Sequence, residues 1–148
     1  MNFKKLHICL VGLHPVKSYD NIIDLTFRIL KFKTQNIDIK INVIQDTKDK
    51  ESYDLKEKIN FSPIGNFIEW HEYESNYLKS GKSFKSRNYA SLIVQNEPME
   101  YYTNLDIPDD DFILRCRSDY YLTDEFLKMI LNKKFYDTLV NTNSNIPI

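Results

Sequence analysis

The sequence predicts an α/β domain of three layers around a mostly parallel sheet. Three observations carry that reading. Short apolar runs that suit buried strands alternate with segments whose apolar residues recur at helical spacing. The chain has 148 residues, enough for one domain with a real core. One run, from Asp110 to Leu122, has Phe112, Ile113, Leu114 and Cys116 at its heart and finishes on Arg117-Ser118-Asp119. A carboxylate at the carboxyl end of a strand is where open α/β sheets place ligand chemistry.

The elements follow in order. Leu6 to Leu13 is short, contains Ile8 and Val11, and stops near Gly12 and Pro15, which suits a buried strand. From Tyr19 to Lys33, Ile22, Ile23, Phe27, Ile29, Leu30 and Phe32 lie near helical spacing, with Ser18 or Asp20 as the expected cap. Ile37 to Val43 alternates isoleucine or valine with Asp38, Lys40 and Asn42, the pattern of a strand half exposed or near an edge. Asp46 to Asn60 is charged and reads as a loop or a solvated helix. Pro63 marks a turn, and Asn66 to Tyr73 a short strand. A second helix is expected from about Ser86 toward Tyr102, ended or kinked by Pro98. Ile107-Pro108-Asp109 turns into the strand already described. Thr123 caps a third helix running to about Asn132, with Asp124 and Glu125 in its first turn. Tyr136 to Val140 reads as a last strand and 141–148 as a flexible tail. One domain, 1–148, is expected.

Composition excludes several functions. Twenty basic residues face 21 acidic ones, so no global field steers the chain toward nucleic acid or an anionic membrane. No stretch reaches the roughly 18 apolar residues of a transmembrane helix. The amino-terminal apolar run is broken by His7 and lacks a small-residue cleavage site, so a cytoplasmic protein is expected. Three glycines leave no glycine-rich phosphate loop. Cys9 and Cys116, both inside predicted strands, read as buried free thiols.

Asp119 heads the residues able to carry chemistry. A hard cation, Mg²⁺ or Mn²⁺, needs oxygen ligands and keeps positions open for phosphate. The competing reading pairs Asp119 with Arg117. Arg115 and Arg117 are two apart, share a face of the strand, and suit a diphosphate or a carboxylate cluster. Asp109, Asp110 and Asp111 lie at the strand's start, the wrong end for a ligand, and read as a solvated turn. Lys82, Lys85 and Arg87 enter the second predicted helix, where cations oppose the helix dipole unless an anion sits there. Asp46 ends the second strand, where a ribose or base could meet it, though a plain turn residue reads as well. His14 follows the first strand and either faces a ligand or is an ordinary loop histidine. His7, His14 and His71 have no metal-ligand spacing.

Segment 86–122 resembles bacterial surface-polysaccharide glycosyltransferases of the WavE-like lipopolysaccharide-synthesis type. The matching residues are Ser86-Arg87-Asn88 on a helix and Ile113-Leu114-Arg115-Cys116-Arg117-Ser118-Asp119 on a later strand. The first strand and Asp46 are compatible with the nucleotide-binding half of a GT-A, Rossmann-like fold. The resemblance implies a divalent cation and diphosphate at Asp119, support from Arg117, and Arg87 near the nucleotide. It implies a nucleotide-sugar donor and a glycan acceptor as partners. Members of the family continue well beyond this length, so a fragment, a minimal enzyme or a remnant that binds without turnover is expected. Outside the resemblance, a non-catalytic α/β binding module accounts for the same residues, and a phosphate-handling domain of flavodoxin-like shape is a third reading.

Overall fold

A computed structural model describes residues 5–33, 37–76 and 96–144. Four strands form one sheet in the order β3-β2-β1-β4, and every neighbouring pair is parallel. The strands are β1 (Lys5–Val11), β2 (Asp38–Asp46), β3 (Ile68–Tyr73) and β4 (Phe112–Arg117). The helices are α1 (Tyr19–Phe32), α2 (Lys50–Asn60), α3 (residues 96–103), α4 (Asp124–Ile130) and α5 (Lys133–Ser144). This is the three-layer α/β architecture that the sequence predicts.

The two faces of the sheet differ in chemistry. Leu6, Ile8, Leu10, Ile41 and Val43 point to one side and form the main core with α1, α2, α4 and α5. Each such side chain contributes on the order of 1.5–3 kcal/mol by leaving water. The opposite side carries Cys9, Val11, Ile44 and Ile113, with Met99, Tyr101 and Tyr102 of α3 packed over them. Its remaining positions are polar. His7, buried on β1, lies between the buried Tyr102 and Asp111. Two crossovers carry the chain from β1 to β3 in one direction, and α3 returns it past β1 to β4. Right-handed connections put helices of opposite travel on opposite faces, which is why α3 lies across the sheet from the other described helices.

Several sequence expectations change. β2 is an interior strand, not an edge, and from Ile41 onward it is buried. Its alternation arises because Lys40 is paired with Glu69 at 2.8 Å and Asn42 accepts from His71 at 3.0 Å. The charged segment after Asp46 is a helix whose Leu55 and Ile59 are buried. Helical residues continue past Pro98 to 103, and the predicted start of that helix, with Lys82, Lys85, Arg87 and Asn88, lies outside the described residues. Tyr136–Val140 is helical within α5. Phe135 and Leu139, like Tyr136 and Val140, are four apart, a helical spacing, and the buried Tyr136 hydroxyl donates to the Ile130 carbonyl. The expected tail from 141 is helical to Ser144. Ser18 precedes α1 without a capping bond, whereas Thr123 does cap α4, accepting from Phe126 N at 3.2 Å.

Candidate functional site

Strand order reverses beside β1, so β4 and β1 meet at the place where open α/β sheets bind ligands. Here the segments after β1 and β4 both turn toward the apolar face, and the loops touch. His14 fills the space between them. It is fully buried, its Nε2–H donates to the Ile44 carbonyl at 2.8 Å, and Nδ1 lies 3.0 Å from Ser118 Oγ. Since a carbonyl only accepts, the ring is the Nε2–H tautomer and Ser118 donates to Nδ1. Burial pushes the His14 pKa down and keeps the ring neutral. Both ring nitrogens are thus engaged with the protein, and His14 acts as an anchor instead of facing a ligand.

The loop after β4 is gripped from α1 as well. Asn21 Nδ2 donates to the Ser118 carbonyl at 2.8 Å and to the Tyr120 carbonyl at 2.7 Å. Arg28 donates to the Leu122 carbonyl and to Asp124, and stacks on the Tyr121 ring at 4.4 Å. Between these anchors stands Asp119, exposed at the carboxyl rim. Arg117 holds it in a two-point fork, Nε to Oδ1 at 2.9 Å and Nη2 to Oδ2 at 2.7 Å. That bond raises the Arg117 pKa further. The Arg117 guanidinium also lies 4.8 Å over the exposed Tyr120 ring. By strand alternation Arg115 and Arg117 share the polar face with Ile113.

Asp46 lies apart from this cluster and is nearly fully buried. Its two carboxylate oxygens accept from the backbone N–H of Lys48 at 2.7 Å and of Ser75 at 3.1 Å. Burial raises its pKa. It ties the end of β2 to the end of β3, the turn role weighed from sequence. Beyond it opens a cleft of about 420 Å³ lined by Glu72, Glu74, Glu97, Glu100, Tyr73 and Tyr101. The four carboxylates among its described lining residues oppose a diphosphate.

Among the described residues no three His, Cys, Asp or Glu side chains come together to hold a metal by themselves. Asp119 fits a cation that arrives with its own oxygen ligands, as a nucleotide diphosphate brings, better than a resident ion. The structure therefore brings together Arg117 and Asp119, with His14 behind them, and leaves Asp46 separate. Arg87 lies outside the described residues.

Sequence reading missed a buried cluster at the amino end of the sheet. His7 Nε2 donates to Asp111 Oδ2 at 2.8 Å, and the Tyr102 hydroxyl lies 2.6 Å from Nδ1. The His7 and Asp111 side chains are only 4% and 5% exposed. Asp111 is thus no solvated turn residue. The missed signal was His7 inside an otherwise apolar strand, which demands a partner once buried. Asn21 and Arg28 gave no such signal, because polar residues on an amphipathic helix ordinarily face water.

Comparisons with protein-family models, with curated proteins and with solved structures return no match.

Proposed function

We propose that this chain is a glycosyltransferase-like domain of surface polysaccharide synthesis that holds a nucleotide-activated sugar by its diphosphate. The observation that carries the reading is Asp119. It is an exposed carboxylate on the carboxyl rim, held among the described residues by the Arg117 fork, on a loop fixed by buried neighbours. Asp119 would take a divalent cation, Mg²⁺ or Mn²⁺, whose remaining ligands come from the diphosphate and water. Such a cation supplies charge neutralisation at the departing diphosphate. Arg117 would exchange its carboxylate for a phosphate, since its planar fork suits either. Tyr120 offers an exposed ring for a base or sugar to stack on. His14, Asn21 and Arg28 keep the loop from moving, so little ordering opposes binding.

The test is calorimetry with UDP and GDP, with and without Mn²⁺. Binding that requires the metal and disappears in Asp119→Ala is expected. Binding that ignores the metal and survives that substitution overturns the reading. A non-catalytic binding module is the second reading, and the edge of β4, unpaired among the described residues, favours it. Absence of all nucleotide affinity in the folded protein would decide for that module.

A further inference from the structure

Among the described residues β4 closes one side of the sheet, and its outer edge pairs with no other strand. Beside it runs a groove of about 220 Å³. Leu114, Cys116, Leu122 and Phe126 give the groove an apolar wall, while Arg115, Arg117 and Tyr120 form its other side. Leu114 and Cys116 pack toward the main core, so they mark the apolar face of the sheet, and the two arginines mark the opposite face. Arg115 is exposed, and its side-chain partner is the neutral Asn96 at 3.4 Å. Among the described residues no carboxylate neutralises it.

We propose that the edge of β4 accepts an extended segment of another protein in which apolar and acidic residues alternate. Strand addition to an open edge draws affinity from main-chain hydrogen bonds and specificity from alternate side chains. A strand laid along β4 presents successive side chains to opposite faces. One set meets Leu114, Cys116, Leu122 and Phe126, and the other meets Arg115 and Arg117. Acidic residues in the second set neutralise Arg115 and compete with Asp119 for Arg117.

The same charges argue against a second copy of this chain. In a two-fold antiparallel pairing the central residue meets its own mate. An axis at any residue from Leu114 to Arg117 brings Arg115 within reach of Arg115 or Arg117 of the copy, and like charges across strands are destabilising. Basic residues on an edge are a recognised guard against self-pairing, and here they also select the partner.

The experiment uses two labelled peptides of eight residues, one alternating valine with glutamate and one alternating valine with lysine. Fluorescence anisotropy with the full chain is expected to show the glutamate peptide binding about tenfold tighter, the sum of two modest charge pairs. Its binding should slow amide exchange at Ile113–Arg117. Arg115→Glu should abolish the preference, and Arg115→Gln should weaken it. Arg115 is exposed, so both variants are expected to fold, which circular dichroism checks. Leu122→Ser should weaken both peptides alike. Failure of both peptides to bind overturns the proposal, as does equal binding that Arg115→Glu leaves unchanged. Sedimentation showing a concentration-dependent dimer with slowed exchange at β4 would assign the edge to a second copy and overturn it too.

Discussion

Two side-chain pairs at opposite ends of the sheet have nearly the same length and opposite surroundings. At the amino end, His7 and Asp111 meet at 2.8 Å with side chains 4% and 5% exposed. At the carboxyl end, Arg117 and Asp119 meet at 2.7 Å with side chains 41% and 33% exposed. Distance alone would rank them equal. Solvent separates them. The buried pair is shielded from water, so His7 is held by Asp111 and Tyr102, and Asp111 by His7. The exposed pair loses little when parted, because water or a phosphate can replace either partner. One end of the molecule is therefore fastened and the other is open to exchange, and the proposed ligand site lies at the second.

The sharpest way to break this comparison is Asp111→Ala. It leaves buried His7 without its carboxylate and should cost roughly 3 kcal/mol of stability in urea unfolding. A loss under about 0.5 kcal/mol, the size of an ordinary surface change, would show that the amino end is not fastened as described.

The next effect comes from pH. His14 has a folded-state pKa below its ordinary 6.5 because it is buried. The unfolded chain therefore binds the extra proton first. The stability from neutral His14 is fully present above about pH 6.5 and declines as pH falls below that value. Urea unfolding between pH 7.5 and pH 5 should show the decline, and His14→Gln should flatten that part of the profile. An unchanged slope in the variant would place the pH dependence elsewhere.

The smallest effect is Asp119→Ala on stability, expected within about 0.5 kcal/mol of the parent. A loss as large as that of Asp111→Ala would make Asp119 a structural residue and leave the proposed site without its centre.

How much of this was legible beforehand depended on whether a residue's partner was local. The strand ending on Arg117 and Asp119 could be read because both residues sit on one short segment, two positions apart. Tyr19–Phe32 and the Thr123 cap were legible for the same reason. Asp111 was misread because its partner, His7, is 104 positions away and only β1–β4 pairing brings the two together. β2 was misplaced toward an edge because Lys40 and Asn42 look solvent-facing until Glu69 and His71 arrive from β3. The short run at Tyr136 fits strand or helix equally, and packing against the core settled it.

Cys9 and Cys116 stand on adjacent, hydrogen-bonded strands only one register step apart, yet they project to opposite sides. Burial drives each thiol up to about 12, so neither offers an appreciable thiolate near neutrality. The sheet stands between them like a partition, and their Cβ bonds diverge in a way no disulfide can span. A shift from reducing to oxidising surroundings would therefore find no bridge to form between them, and peroxide would meet two poor nucleophiles. The fold is indifferent to redox state by construction of its strands, without shedding either sulfur.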